Sequence, residues 1–106
     1  MNVLFLCTQN RMRSPTAEQV FASWPGIETD SAGLHSSAHV VLSPEQIEWA
    51  DLIVVMEARH SAMLSKDYGS HLKNKRIICA DVPDKYPFMD PALVALLKAK
   101  VGPHLK

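Results

Sequence analysis

Three short apolar runs constrain the fold of this chain more than any other feature. Residues 2–6, 52–56 and 76–80 read NVLFL, LIVVM and RIICA, without the polar alternation of a half-exposed strand. Continuous apolar strands are typical of a parallel sheet, because helices cover both faces of such a sheet. A weaker β-type run, IETDS at 27–31, supplies a fourth strand. We therefore expect a parallel sheet whose strands are separated by helices.

Helical segments separate these runs. Ser43 and Gln46 have the spacing of a capping box, in which each side chain bonds the backbone of the other residue. Asp90, before a proline, opens the last helix, and Gly102 stops it. This alternation predicts an α/β fold: a small doubly wound four-stranded parallel sheet, in the order 2-1-3-4, with helices on both faces. The predicted helices cover residues 15–24, with Ser14 as N-cap, then 44–50, 58–66 and 92–101.

The composition excludes several classes of protein. The chain has 106 residues, 47% of them hydrophobic, and its 11 basic and 11 acidic residues give a formal net charge of zero. A nucleic-acid partner normally requires a basic excess. No run approaches the roughly 20 apolar residues that span a bilayer, and the N-terminus lacks the basic start of a signal peptide. We expect one domain over residues 1–106, in the cytoplasm, without a nucleic-acid or membrane partner; the oligomeric state is not predicted.

The segment from Cys7 to Ser14, CTQNRMRS, carries the chemistry. It joins the carboxyl end of the first strand to the first helix, where ligands bind in α/β sheets. Five residues between Cys7 and Arg13 can wrap a tetrahedral anion, and the N–H groups of a helix N-terminus attract one. Arg13 adds a planar, bidentate guanidinium that lysine cannot imitate. The predicted phosphate site is formed by Thr8, Gln9, Asn10, Arg11, Met12, Arg13 and Ser14.

Cys7 is the candidate nucleophile at the bottom of this site. A helix N-terminus and nearby cations stabilise a thiolate, which is the reactive form of cysteine. Ser14 can donate a hydrogen bond to the sulfur, and Asn10 tolerates the left-handed backbone that a tight loop needs. In the alternative interpretation Cys7 is a small buried residue and Arg13 a surface charge. The strand before the loop, and the Ser-Pro and helix after it, favour the phosphate site.

These residues resemble the signature loop of the low-molecular-weight protein tyrosine phosphatases. That family has a cysteine, an asparagine three residues later, and Arg-Ser-Pro at the end of the loop, as in CTQNRMRSP here. The segment TDSAG at 29–33 resembles the family's segment after its second strand, whose serine braces the loop asparagine. The resemblance implies this bracing role for Ser31.

The late loop offers three candidate acids. A carboxylic acid near the thiolate can protonate the leaving oxygen and later take a proton from water. Asp90 is best interpreted as a helix N-cap, whereas Asp81 directly follows the fourth strand and remains an alternative. VPDKY at 82–86 resembles the family's acid loop, usually Asp-Pro-Tyr. The resemblance implies Asp84 as general acid and Tyr86 as an aromatic wall of the substrate site.

The chain is shorter than typical family members and departs from their pattern in four places. The region between Gly33 and Ala50 is compressed, and this is where the family places part of its substrate wall. Met12 replaces a second loop cysteine that can protect the nucleophile in a disulfide, so we expect that switch to be absent. Gln9 stands where glycine is common. Lys85 replaces the proline beside the acid.

The expected activity is hydrolysis of phosphate monoesters, above all aryl phosphates such as phosphotyrosine, through a phosphocysteine intermediate. Cys7 attacks phosphorus, Arg13 and loop amides hold the oxygens, and Asp84 moves the protons. The substrate is a phosphorylated protein or a small aryl phosphate, and no metal or cofactor is expected.

Two other functions remain open. Arsenate reduction uses a similar fold and loop but normally needs two further cysteines, and this chain offers only Cys79, which its apolar run predicts to be a core thiol. A non-enzymatic phosphocysteine carrier also places a cysteine after its first strand. Such carriers do not normally present an arginine six residues later.

Overall fold

The structure, a computed structural model, describes residues 1–105. Four strands pair in parallel in the order β2-β1-β3-β4, which confirms the predicted topology. The first two strands are therefore adjacent, and the chain crosses over β1 to form the third. The carboxyl ends of all four strands meet at one edge of the sheet. The strands are β1 (Asn2–Cys7), β2 (Glu28–Gly33), β3 (Leu52–Val55) and β4 (Arg76–Cys79).

The predicted helix-start signals of two helices are confirmed. The Ser43 and Gln46 capping box is formed, and the Asp90 carboxylate accepts from the Ala92 N–H at 2.8 Å. Within residues 1–105, no helix combines the length and the apolar character needed to cross a membrane. The helices are α1 (Arg13–Phe21), α2 (Pro44–Trp49), α3 (Ala58–Tyr68) and α4 (Pro91–Val101), with single 3₁₀ turns at Gly69–His71 and Gly102–Leu105.

The sheet buries apolar side chains on both faces. Val3 and Phe5 pack with α1 and α4, whereas Leu4 and Leu6 pack on the opposite face with α2 and α3. Successive side chains of a strand point to opposite faces, so a strand covered on both sides needs apolar residues at every position. This explains the unbroken run at residues 2–6. It also holds the end of β1, where Cys7 lies, in a rigid position.

Helix α1 begins earlier than predicted. Its first residue is Arg13 and its N-cap is Met12, which makes no side-chain cap bond. The prediction of Ser14 as N-cap was therefore wrong. The Ser14 hydroxyl lies instead 3.0 Å from the sulfur of Cys7, so the side chain serves the site rather than the helix end.

The prediction of Cys79 as a core thiol was also wrong, because its side chain is exposed. Strand β4 lies at the edge of the sheet, and its end residues are exposed. A short apolar run can therefore form an edge strand as well as a central one. Cys7 and Cys79 are both free thiols.

Candidate active site

The sulfur of Cys7 forms the floor of a pocket at the carboxyl edge of the sheet. Cys7 is only 3% exposed and is one of the residues that line the pocket. The Asn10 backbone N–H donates to the sulfur at 3.2 Å, and the Ser14 hydroxyl lies 3.0 Å away. Two donors on one sulfur stabilise its anionic form, which is the attacking species in cysteine chemistry.

Asn10 holds the loop from inside. Its backbone adopts φ +55°, the left-handed conformation that asparagine tolerates. Its side-chain amide donates to Ser14 Oγ and to Ser31 Oγ, each at 3.0 Å, and Ser31 in turn donates to Glu18. Because Ser14 Oγ accepts from Asn10, its own hydrogen is available to the sulfur of Cys7. The structure thus places Ser31 where the resemblance implied.

A neighbouring loop, residues 34–41, turns the carbonyl groups of the phosphate loop outward. The N–H groups of Leu34, His35 and His39 donate to the carbonyl oxygens of residues 7, 8 and 9 at 3.0, 3.1 and 3.0 Å. A peptide whose carbonyl bonds outward presents its N–H in the opposite direction. The compressed region between β2 and α2 therefore orients the amides that bind an anion.

Gly33 allows this close approach. A Cβ atom at this position would lie 2.3 Å from the Ala38 Cβ and 2.7 Å from the carbonyl oxygen of Thr8. Neither distance is compatible with normal packing, and the second atom belongs to the backbone. A side chain at position 33 would push the two loops apart.

Arg13 is fixed by groups from the segments that follow β3 and β4. Its side chain is only 2% exposed, and Nη1 donates to Glu57 at 2.6 Å and to the Val82 carbonyl at 2.8 Å. With Nη1 used in this way, the Nε–Nη2 edge is the part of the guanidinium that can bind an anion through two hydrogen bonds. The Nε atom lies 3.8 Å from a carboxylate oxygen of Asp84.

Glu57 supports the site, although sequence reasoning assigned it no role. It follows β3, and its carboxylate accepts from Arg13 and from Arg59, the latter at 3.3 Å. Hydrogen bonds from Arg59 and Arg13 lower the pKa of Glu57 to about 2. The carboxylate therefore stays ionised and holds Arg13 in place. The available signal was its position at the carboxyl end of a predicted strand.

His60 is a second residue that the sequence did not single out. Its imidazole is completely buried, and Nε2 lies 2.9 Å from the hydroxyl oxygen of Thr8 in the phosphate loop. Burial and the positive charge of Arg13 lower the pKa of His60 to about 4. The ring is therefore neutral near pH 7.

The structure separates the three candidate acids of the late loop. Asp84 lines the pocket, with a side chain that is 66% exposed. Asp81 has a left-handed backbone, and its carbonyl accepts from Lys100 away from the pocket. Asp90 caps α4. Of the three, Asp84 is the carboxylate that lines the pocket together with Cys7.

The predicted site residues fall into three groups. Asn10, Ser14 and Ser31 form a buried network behind the pocket. Tyr86 does not line the pocket: its ring packs against the apolar core on the α1 side of the sheet, with the Lys85 ammonium 5.6 Å from its centroid. Within residues 1–105, no three His, Cys, Asp or Glu side chains are grouped so as to hold a metal ion. The residues that line the pocket are Cys7, Thr8, Gln9, Arg11, Met12, Arg13 and Asp84.

Comparison with known proteins relates this arrangement of residues to one family of phosphatases. The family model described as low molecular weight phosphotyrosine protein phosphatase matches residues 2–49, which contain the whole phosphate loop and its bracing strand. A solved low-molecular-weight protein tyrosine phosphatase from T. tengcongensis is 26% identical over 96% of this chain and 93% of its own, with a TM-score of 0.72. The first half of the chain is therefore similar to the low-molecular-weight protein tyrosine phosphatases in sequence, and the whole chain is similar to them in fold.

Other solved phosphatases share the fold of this chain. The tyrosine phosphatase Wzb from Escherichia coli K30, solved with phosphate, is 19% identical over 97% of this chain and 94% of its own, with a TM-score of 0.77. The YwlE arginine phosphatase from Geobacillus stearothermophilus is 22% identical over 97% and 94%, with a TM-score of 0.68. A search of curated protein sequences finds no match. The match to the family model and the similarity to these solved phosphatases support a cysteine-dependent phosphatase.

Proposed function

We propose that this phosphatase hydrolyses aryl phosphate monoesters, such as phosphotyrosine, through a phosphocysteine intermediate on Cys7. The observation that carries the proposal is the buried Cys7 sulfur, which lies between two hydrogen-bond donors on the floor of a pocket that Arg13 also lines. This arrangement supplies a nucleophile and a site for a dianion within one loop.

In the first step the Cys7 thiolate attacks phosphorus and the bond to the leaving oxygen breaks. Arg13 and the loop amides hold the three remaining oxygens, on which charge is spread in the transition state. Asp84, in its acid form on the pocket rim, gives its proton to the leaving oxygen. The products are a neutral alcohol, an Asp84 carboxylate and phosphocysteine.

In the second step water attacks the phosphocysteine. The Asp84 carboxylate takes a proton from this water, and the phosphorus–sulfur bond breaks to release inorganic phosphate. The Ser14 hydroxyl, 3.0 Å from the sulfur, stabilises the thiolate as it leaves. The cycle returns Cys7 and Asp84 to their starting states.

The depth of the nucleophile favours an aryl substrate. Because Cys7 is almost completely buried, the phosphoryl group must reach well below the protein surface. Phosphotyrosine carries its phosphoryl group a full ring length from the peptide backbone, whereas phosphoserine carries it on a single methylene. YwlE from Geobacillus stearothermophilus is an arginine phosphatase, and phosphoarginine also has a long side chain. Its cationic guanidinium, however, meets Arg11, which lines this pocket.

Hydrolysis of p-nitrophenyl phosphate tests the proposal. Cys7→Ser should abolish turnover, by about 10⁴-fold or more, because it removes the nucleophile. Cys79→Ser is the matched control, since it removes the other thiol from an exposed position on β4. Turnover retained in Cys7→Ser, or lost in Cys79→Ser, contradicts the proposed nucleophile.

A substrate panel then defines the leaving group. We expect phosphotyrosine peptides to be hydrolysed faster than phosphoarginine or phosphoserine peptides of the same sequence. A rapidly quenched reaction of Asp84→Ala should show a chain carrying one phosphoryl group on Cys7. Preferred turnover of phosphoarginine would reassign the substrate while leaving the Cys7 mechanism intact.

The geometry disfavours arsenate reduction. Cys79 pairs with Val55, and Val55 pairs with Leu6, the neighbour of Cys7. Two strand spacings place Cys79 about 10 Å from the end of β1, beyond the reach of a disulfide. Thiol-dependent turnover of arsenate would revive this alternative. Stable phosphorylation of Cys7 without hydrolysis would instead favour a carrier.

A further inference from the structure

We propose that the Thr8 hydroxyl donates a hydrogen bond to the transferring phosphoryl group, and that His60 is a positioning residue that fixes the direction of this bond. The proposal rests on the phosphatase reaction described above. It adds a side-chain donor to the backbone amides and the arginine of the loop. It also gives a task to a buried histidine that the mechanism otherwise leaves unused.

The hydrogen bonds of His60 define its tautomer. The Glu57 backbone N–H donates to Nδ1 at 3.1 Å, so Nδ1 acts as an acceptor and carries no hydrogen. A neutral imidazole then carries its hydrogen on Nε2. The complete burial of the ring favours this neutral form. His60 is therefore a donor toward Thr8, which lies 2.9 Å from Nε2.

The Thr8 hydroxyl receives a second donor. Arg59 Nη2 lies 3.2 Å from the same oxygen, and arginine can only donate. A hydroxyl oxygen has two lone pairs and one hydrogen, so two incoming donors leave the hydrogen as the outgoing bond. Thr8 lines the pocket together with Cys7 and Arg13. The hydrogen is therefore what this hydroxyl can offer to a phosphoryl oxygen bound in the pocket.

A donor aimed before substrate arrives is valuable in phosphoryl transfer. Charge on the equatorial oxygens is stabilised in the transition state by groups that need no reorganisation. Without His60 and Arg59, the Thr8 hydroxyl could rotate and accept as readily as it donates. The two donors therefore restrict the Thr8 hydroxyl to donating its hydrogen bond.

Substitutions at Thr8 test the donor itself. Thr8→Val keeps the shape of the side chain and removes the hydroxyl, and we expect kcat to fall about tenfold to a hundredfold. Inhibition by vanadate, which imitates the transition state, should weaken more than inhibition by inorganic phosphate. Thr8→Ser should recover most of the lost activity. Thr29→Val is the matched control, because it removes a part-buried hydroxyl that bonds only the Glu18 carbonyl, outside this pocket.

Two substitutions of His60 separate positioning from folding. In His60→Asn the side-chain oxygen takes the place of Nδ1 and keeps the bond from the Glu57 N–H, but the contact with Thr8 is lost. In His60→Gln the side-chain nitrogen takes the place of Nε2 and keeps the contact with Thr8, but the bond at Glu57 is lost. We expect His60→Asn to reduce kcat as Thr8→Val does. His60→Gln should lower the melting temperature and retain more of the kcat.

The double variant Thr8→Val/His60→Asn decides whether the two residues act together. If His60 acts through Thr8, the double variant is no slower than Thr8→Val alone. An unchanged kcat in Thr8→Val, or a further loss of kcat on adding His60→Asn, overturns the inference. The wild-type protein and Cys7→Ser are measured beside them. If the wild type hydrolyses no aryl phosphate, the proposed function itself fails. If the wild type is active and Thr8→Val leaves kcat unchanged, the proposed function stands and only the inference about Thr8 fails.

Discussion

The loop of residues 7–14 and the loop of residues 81–90 face the same pocket but are held by different means. The first is bonded along its length by backbone and side-chain groups from three neighbouring segments. The second is anchored near its ends, through Val82 to Met56 and Arg13 and through Met89 to Thr16. Between these anchors Asp84 is largely exposed.

This difference matches the tasks of the two loops. An anion grip works best when its donors are fixed before the substrate binds. A proton donor must meet leaving groups of different shape, and it tolerates a looser attachment. We therefore expect substitutions around the first loop to change both stability and catalysis. Substitutions at Asp84 should change catalysis alone.

Arg13→Lys should have the largest effect. Lysine keeps the positive charge but loses the planar fork, so we expect kcat/KM for p-nitrophenyl phosphate to fall about a thousandfold, near 4 kcal/mol. Arg76→Lys on the edge strand β4 is the control, and it should not change the rate. A loss of less than tenfold in Arg13→Lys would mean that charge alone holds the phosphoryl group.

Gly33→Ala tests whether the neighbouring loop supports the grip. The added methyl group meets Ala38 and the Thr8 carbonyl, so we expect a loss of about 3 kcal/mol in unfolding free energy together with a lower kcat. Gly69→Ala is the control, because a Cβ there has no heavy atom within 4 Å. Chemical denaturation measures both variants. Equal stability of Gly33→Ala and Gly69→Ala would show that loop 34–41 accommodates the added methyl group at little cost.

Asp84→Asn probes the opposite loop. We expect kcat for phenyl phosphate to fall about a hundredfold, close to 2.7 kcal/mol, and kcat for p-nitrophenyl phosphate to fall less, because nitrophenol leaves more readily without a proton. The melting temperature should not change, since the side chain is exposed. If Asp81→Asn shows the leaving-group dependence instead, Asp81 is the acid.

Acid should destabilise the first region, because His60 and Glu57 both support it. The pKa of His60 is lowered from 6.5 to about 4, so its stabilising effect is complete above pH 6.5 and is lost as the pH falls toward 4. Between pH 7 and pH 5 we expect a loss of about 2 kcal/mol in unfolding free energy. The stabilising effect of the ionised Glu57 carboxylate is lost at lower pH, as the pH falls from 4.5 to about 2. His60→Asn should flatten the curve between pH 7 and pH 5, and an unchanged slope would exclude His60 as the cause.

Sequence alone predicted the fold and the phosphate loop, because both are local patterns. Apolar runs show where strands are buried, and Cys7, Asn10 and Arg13 lie within one contiguous segment. Ser14 shows the limit of such patterns. A serine before a proline has the form of a helix cap, but its hydroxyl bonds the sulfur that the fold brings next to it.

The supporting residues were not predictable in this way. Glu57 and His60 lie more than 40 residues from the phosphate loop, and their contacts with Arg13 and Thr8 arise from the pairing of β1 with β3. Their local pattern indicates only a helix start, which they also form. Tyr86 illustrates the reverse case: it occupies the sequence position expected of a substrate wall, but its ring is partly buried and packs against the core.

The outward bonds of the phosphate loop also have an evolutionary consequence. Residues 34, 35 and 39 hold it through backbone N–H groups, which any amino acid except proline provides. The exposed side chains of His35, Ser36 and Val40 are therefore free to diversify while the anion grip persists. Selection can remodel what docks beside the pocket without rebuilding the chemistry inside it.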